Sequence, residues 1–422
     1  MKIFAKDGKP CEKILKIEVD GQTVQKEYQA FYNAVAPKAA VPGFRPGKAP
    51  RRVLEMHYAA EARESVLKQL LSDSYREALK EKLITPLGFP LIEDVKFEPG
   101  ALSYQARVEI RPKIKLSRVE GLKAKKEKPE VKPEEIEEAL GRLRESFAHF
   151  KAVEDRPAAL GDFLIADYLC LVEGKEIDKR QDDWIELREE EFLKGFSAQL
   201  AGSRPGEEKE VRVTFPQDFA RKEHAGKEAA FQVKVKEIKS KQLPALDDEL
   251  AKEAGECQTL AELRQKVEKD LSSVKEKEAE AGFEKGLLDE LVKHNKIDLP
   301  EGLVAKRLER LVEDAAAHYQ RHGVPEATLK ELKEKSKQEL APEARRQVHV
   351  AFLLDEIAVK ENLTASEEDL KLRFNRIAAQ VRQPVEKVEH YYRHDEEGLE
   401  SLRDQIRSEK AVEFIKRHAK TA

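Results

Sequence analysis

A chain of 422 residues has room for about two to four domains. Charged residues make up 38% and hydrophobic residues 40%, which supports packed cores under solvated helices and excludes wholesale disorder. The 78 Lys and Arg against 82 Asp and Glu leave a net charge of −4, so no whole-chain field draws nucleic acid or a membrane.

In chain order, residues 1 to about 112 mix two periodicities. Ile17 and Val19 alternate with charged residues, and Leu102, Tyr104, Ala106, Val108 and Ile110 alternate cleanly; both predict half-buried strands. Val24, Tyr28, Phe31, Tyr32 and Val35 follow helical spacing, as do Val66, Leu67, Leu70, Leu71, Tyr75 and Leu79. Between those helices lies Val41-Pro-Gly-Phe-Arg-Pro-Gly-Lys-Ala-Pro50. Its prolines forbid a continuous helix and its glycines permit tight turns, so a small α+β unit projects a loop. Residues 113 to about 153 read as a connector. The stretch Lys123-Ala-Lys-Lys-Glu-Lys-Pro129 is too charged to pack, and Pro133 opens a helix carrying Ile136, Leu140 and Leu143.

Residues 154 to about 240 predict short strands. Phe163 and Ile165 share one phase and Ala166 and Tyr168 the other, followed by Val211/Val213/Phe215 and Phe231/Val233/Val235, with turns at Gly174, Gly202, Pro205-Gly206 and Gly226. From about 241 to 422 the pattern is helical. One helix carries Leu303, Val304, Leu308, Leu311, Val312, Ala315 and Tyr319, opening after Pro300 and closing at Gly323. Thr364 and Glu367 read as a capping box ahead of Leu370, Phe374 and Ile377.

Several chemistries are excluded or left bland. Charge-free runs such as Tyr28 to Pro37 stop at ten residues, and lysines interrupt the first sixteen, so neither a membrane span nor a secretory signal is expected. Cys11, Cys170 and Cys257 are too widely spaced for a zinc pattern and fit a reducing cytosol, with Cys170 as a small core residue. The pairs His318/His322 and His390/His394 have metal-ligand spacing but no evident third ligand, and read as solvated helix faces. Gly43-Phe-Arg-Pro-Gly-Lys48 is one residue short of a phosphate loop, and Ala49 stands where Ser or Thr would hold magnesium. Neither a cofactor nor a metal is expected. The same loop suits docking instead. Phe44 is a large ring that a hairpin tip can scarcely bury, Arg45 and Lys48 flank it, and residues 1–60 carry eleven Lys/Arg against six Asp/Glu. An exposed aromatic beside arginine is a common interface anchor, and basic surroundings suit a phosphate-rich partner.

Asn33-Ala-Val-Ala-Pro-Lys-Ala-Ala-Val-Pro-Gly-Phe-Arg-Pro-Gly-Lys-Ala-Pro50 and Ile84-Thr-Pro-Leu-Gly-Phe-Pro90 resemble the signature of bacterial trigger factors, ribosome-associated chaperones, and the domain order extends the resemblance over the chain. It implies a multidomain α+β protein. Residues 1–112 would be a ribosome-binding α+β domain, and 113–153 a connector packing with the C-terminal domain. Residues 154–240 would be an FKBP-like antiparallel β domain, and 241–422 an all-α chaperone domain with helical arms. Gly43, Phe44, Arg45, Pro46, Gly47 and Lys48 would grip the large ribosomal subunit beside the exit tunnel, with Pro46 where some members carry a basic residue. The implied partners are that subunit, nascent and unfolded polypeptides and, off the ribosome, a second copy of the chain. The implied location is cytoplasmic, with no membrane contact and no ATP.

The β domain resembles FKBP-type prolyl isomerases through Tyr168, Gly195-Phe196, Pro205-Gly-Glu207, Val213-Thr-Phe-Pro216 and Phe231. The resemblance implies a pocket lined by Tyr168, Ile177, Asp178, Phe192, Leu193, Phe196, Phe219 and Phe231. Arg188-Glu-Glu-Glu191 replaces the family's glycine-containing turn. Isomerisation needs no nucleophile. The X–Pro barrier of about 18–20 kcal/mol is sustained by amide resonance, and a dry apolar pocket favours the twisted amide, whose charge separation is smaller. Two rival readings remain at this stage: a non-enzymatic assembly factor whose β domain only binds clients, and a nucleic-acid binder using residues 1–60, which lacks interleaved stacking aromatics.

Overall fold

The computed structural model describes residues 1–98, 100–189, 193–217, 219, 224–255, 257–322, 324 and 326–421. The chain divides into two compact units, one made of Met1–Glu127 with Glu280–Ala422 and the other of Lys128–Ala279. Its fold is multidomain α+β, with antiparallel sheets followed by a helical C-terminal region.

The first part of the discontinuous unit contains β1 (Lys2–Asp7), β2 (Glu12–Val19), α1 (Gly21–Val35), α2 (Arg51–His57), α3 (Ala59–Lys82), β3 (Leu91–Glu98), β4 (Ala101–Glu109) and β5 (Lys123–Ala124). The antiparallel sheet runs β1-β2-β4-β3. Period-two alternation turns Leu15, Ile17 and Val19 of β2, with Leu102, Tyr104, Ala106 and Val108 of β4, onto the face covered by Val24, Val66, Leu70 and Ala78. Within that packing the Tyr104 hydroxyl lies 2.8 Å from Ser74 Oγ. The edge strands β1 and β3 lack the alternation and leave Phe4, Leu91 and Val95 exposed.

The second unit contains α4 (Pro133–Ser146), β6 (His149–Ala152), β7 (Asp162–Val172), β8 (Lys175–Glu186), α5 (Phe196–Leu200), β9 (Glu208–Thr214), β10 (Glu228–Gln242), α6 (Asp248–Glu253) and the start of α7 (Leu260–His294). Its sheet runs β6-β10-β7-β8, with β9 also on β10. The buried phase is Leu164, Ala166, Cys170 and Val172 of β7 facing Val211 and Val213 of β9 and Phe231, Val233 and Val235 of β10. Leu140 of α4 is closed in by Ala251, Cys257 and Leu263, and Glu137 pairs with Arg264 across the same helices.

The remainder of the first unit is helical: the end of α7, α8 (Glu301–Arg321), α9 (Glu326–Lys360), α10 (Glu367–Val381), α11 (Val385–His394), α12 (Glu396–Arg417) and the short β11 (Lys420–Thr421). Phe283, Leu287 and Leu291 of α7 pack with Leu353 and Ile357 of α9 and Ala411 and Ile415 of α12.

Two local expectations are corrected here. The charged stretch after residue 122 does pack in part. Lys123–Ala124 pairs in parallel with Lys420–Thr421, Ala124 is buried, and Lys126 reaches Glu280 at 3.3 Å while lying over the Phe283 ring. Long lysine stems cover apolar surface while their ammonium groups stay paired or wet. The capping box of α10 is Ser366 with Asp369, not Thr364 with Glu367: Ser366 Oγ accepts from the Asp369 N–H at 3.2 Å, and Asp369 Oδ2 accepts from the Ser366 N–H at 2.8 Å. The Thr364 carbonyl instead accepts from Lys410 Nζ at 2.9 Å. The expected helix end at Gly323 falls outside the described residues, with Arg321 the last residue of α8.

Candidate functional sites

The loop between α1 and α2 is braced at its base and open at its tip. Ala39 and Val41 are buried with Tyr32, Leu54 and Ala62 in a small core of their own. Three backbone bonds fold the tip: Phe44 N–H to Val41 O at 3.0 Å, Gly47 N–H to Ala39 O at 3.1 Å and Lys48 N–H to Arg45 O at 2.9 Å. Gly47 is required twice over, since its φ is +75° and a Cβ there would sit 2.7 Å from the Pro37 carbonyl oxygen. Gly43, at φ +87°, needs only the conformational freedom.

This scaffold leaves Phe44 41% exposed, with Arg45, Pro46 and Lys48 exposed around it. The basic residues divide in a way the sequence did not announce. Arg51 is structural: its guanidinium stacks 4.3 Å from the Tyr32 ring centroid and its Nε donates to Glu55 at 2.8 Å. Arg45, Lys48 and Arg52 have no ion-pair partner among the described residues, so their charge is offered outward.

In the second unit, seven of the eight expected pocket residues lie in one region. Tyr168 on β7 and Phe231 on β10 have ring centroids 5.9 Å apart, and Phe196, the first residue of α5, meets Phe231 edge-to-face at 5.0 Å. Gly195, at φ +82°, turns the chain so that α5 starts there. The Leu193 carbonyl accepts from the Phe196 N–H at 3.1 Å. Leu193, Ile177 and Phe219 are half-buried against the same core, and Phe219 stacks on Phe215 at 4.2 Å. Across the β7–β8 hairpin the Tyr168 hydroxyl donates to Asp178 Oδ2 at 3.0 Å. Burial first, and this bond to a carboxylate second, push the Tyr168 phenol up to about 12. Phe192, with Glu190 and Glu191 of the turn before it, lies outside the described residues.

The neighbouring chemistry is inert. Cys170 pairs with Asp178 in the strand register, and burial, then the Asp178 charge, pushes its thiol up to about 11, well above the range of a reactive thiolate. Trp184 is not a pocket wall. It forms an edge-to-face triad with Phe150 and Phe163 at 5.1 and 6.2 Å, with Lys239 Nζ 4.9 Å above its ring. A polar concavity of about 510 Å³, bordered by Asp167, Tyr168, Lys179, Glu208 and Lys234, has part of its charge already paired: Lys234 with Glu208 at 2.8 Å, Asp167 with Lys236 at 2.6 Å.

Three family models cover most of the chain. Residues 1–143 match the bacterial trigger factor protein, 154–236 the FKBP-type peptidyl-prolyl cis-trans isomerase and 259–417 the trigger factor C-terminus. The trigger factor of Geobacillus sp. (strain WCH70) is 33% identical over 97% of both chains. The chain belongs to the bacterial trigger factor family. The trigger factors of Moorella thermoacetica and Carboxydothermus hydrogenoformans are each 34% identical, covering 96% of this chain and 92% and 96% of their own. A solved structure of the trigger factor chaperone, reported for its promiscuous substrate recognition, is 20% identical with a TM-score of 0.48 over 98% of this chain and 99% of that one. Membership carries the function of a ribosome-associated chaperone that assists folding, and its FKBP-type domain is a peptidyl-prolyl isomerase. Among the described residues no helix is long and apolar enough to cross a membrane.

Proposed function

We propose that the loop at residues 43–48 is the ribosome anchor, and that it docks on the large subunit beside the exit tunnel. The observation that carries this is an exposed Phe44 on a braced tip, flanked by Arg45 and Lys48 with no ion-pair partner among the described residues. A ring held outward on a rigid turn loses little entropy on docking, and free cations beside it meet phosphate without first breaking a salt bridge. In this reading residues 1–112 dock, 113–153 connect, 154–240 isomerise and 241–422 shelter unfolded chains. The protein works in the cytoplasm without ATP, and a second copy of the chain is its partner off the ribosome.

The isomerase pocket of this reading is the ring set Tyr168, Phe196, Phe219 and Phe231 with Leu193, Ile177 and Asp178; Phe192 belongs to the proposal by resemblance alone. The apolar walls exclude water from a bound X–Pro amide, and the Asp178 carboxylate at the edge accepts a hydrogen bond that holds the peptide. The test is co-sedimentation of the purified chain with isolated large subunits, beside isomerisation of a short X–Pro peptide. Binding and a rate above the uncatalysed one are expected. Failure to sediment refutes the anchor, and no rate enhancement leaves the β domain a binding module only.

A further inference from the structure

The unit that includes the helical C-terminal region holds a groove of about 720 Å³, within the usual size range of ligand sites. Its apolar lining comes from one face of α9, where Val348, Phe352 and Val359 recur at helical spacing, and from Leu303 of α8. Val359 is 63% exposed. Val348 is buried with Leu299 and Val304, and Leu303 and Phe352 pack partly against that core. The apolar surface left open between the charged walls is therefore Val359 with the half-buried Phe352, the pattern of a contact surface at the margin of a core.

The charge along this groove is one-sided. Arg111, Lys306, Arg307, Arg310 and Arg407 line it, against Asp355 and Asp404. Both acids are already engaged: Arg111 pairs with Asp355, and Arg407 with Asp404, lying 4.0 Å from Asp355 as well. Glu356 also reaches Arg111, at 3.9 Å. On the α8 wall, Arg307 Nε donates to the neutral Gln347 at 2.6 Å. Lys306 and Arg310, one turn apart and exposed, have no ion-pair partner among the described residues. A chain with net charge −4 therefore keeps a surplus of three cations (five against two) beside an apolar floor.

We infer that this groove binds acidic amphipathic stretches of unfolded polypeptide. Leucine-like side chains would lie on Phe352 and Val359, and carboxylates would face Lys306 and Arg310. The inference rests on the proposed role of residues 241–422 in sheltering unfolded chains, and adds a sequence preference to it. A nucleic acid fits less well, because Phe352 is the only aromatic among the described residues of the lining and bases need stacking platforms.

The test is fluorescence anisotropy of a labelled Leu/Glu amphipathic peptide, and of its Leu/Lys counterpart, titrated with the full chain. The Glu peptide is expected to bind more tightly, to weaken as salt shortens the screening length, and to lose about tenfold in affinity to the Lys306→Glu/Arg310→Glu variant. A Lys306→Ala/Arg310→Ala variant, matched in melting to wild type, should show a smaller loss of the same sign. Equal affinity for the two peptides, an unchanged double variant, or displacement by a single-stranded oligonucleotide overturns the inference. Suppression of aggregation of a neutral client is followed in parallel. Its persistence alongside a failed peptide assay removes the charge preference and leaves the sheltering role standing, whereas its loss removes both.

Discussion

Replacing Tyr168 with Phe keeps the ring against Phe231 and deletes one donor, the hydroxyl that Asp178 accepts at 3.0 Å. A buried hydrogen bond to a charged acceptor contributes about 1.5–3 kcal/mol, but the Asp178 side chain is 45% exposed and water replaces part of the lost bond. About 1 kcal/mol of stability at neutral pH is the expected loss. The same hydroxyl predicts an alkaline signature. Its folded value of about 12 lies above the unfolded value of about 10, so its contribution is whole below pH ~10 and is lost as pH rises through 12. Two pK units set a ceiling of about 3 kcal/mol, which solvent screening at a half-buried edge reduces to about 1.

Urea unfolding of the β domain from about pH 9 to 12 can be followed without truncation, because Trp184 on β8 is the single tryptophan of the chain. The stability advantage of wild type over Tyr168→Phe, about 1 kcal/mol at neutral pH, should disappear as the pH rises through 12. Turnover of an X–Pro peptide near pH 7 should fall about three- to tenfold, the equivalent of one modest hydrogen bond. Parallel stability curves across the alkaline range would refute the Tyr168–Asp178 pair, and unchanged turnover would remove it from the pocket.

The triple substitution Phe44→Ala, Arg45→Ala, Lys48→Ala should abolish co-sedimentation with large subunits while melting as wild type, since an exposed tip contributes little to stability; undiminished binding by that folded variant sinks the anchor. Phe196→Leu should lose the edge-to-face contact with Phe231, about 1 kcal/mol, and reduce peptide isomerisation by more than the Trp184-reported midpoint explains. Turnover that simply tracks stability would deny Phe196 its place on the pocket floor. Lys410, then Ser366, hold the Asp369 carboxyl down at about 2. Its contribution is present above pH ~4 and lost as pH falls from there through 2, so Asp369→Asn should flatten that acid limb in far-ultraviolet circular dichroism; an unchanged limb would show the cap of α10 to be idle.

How much of this was legible follows the range of the interactions. The alternation of Leu102, Tyr104, Ala106 and Val108 and the stripe of Leu303, Val304 and Val312 announce their elements, because a half-buried strand or helix repeats its pattern within a few residues. The exposed Phe44 was legible for a negative reason: a hairpin tip has nothing to bury a ring against. Other features depend on partners far along the chain. Nothing local marks Lys123–Ala124 as a strand, since its pairing partner is Lys420–Thr421. Arg51 and Arg52 are identical in sequence terms, yet the first is consumed by Tyr32 and Glu55 and the second has no ion-pair partner among the described residues. The basic groove on α8 was hidden in the same way. Lys306 and Arg310 look like any solvated helix face until α9 places an apolar floor beside them.

The absence of an activated nucleophile from the pocket is what its chemistry requires. Rotation about an X–Pro bond makes and breaks no covalent bond, so a thiolate or an activated hydroxyl would add only side reactions. Two neighbouring groups of that kind are held in their unreactive form: Cys170 by burial, at about 11, and Tyr168 by burial and by Asp178, at about 12. The aromatic walls do the complementary task. In the proposed pocket Tyr168, Phe196 and Phe231 form a continuous ring surface that would replace water around the amide, and loss of that water weakens the ground-state resonance more than the twisted state. The same physics ties turnover to dryness: a substitution that wets the pocket should slow isomerisation even where it leaves Asp178 in place.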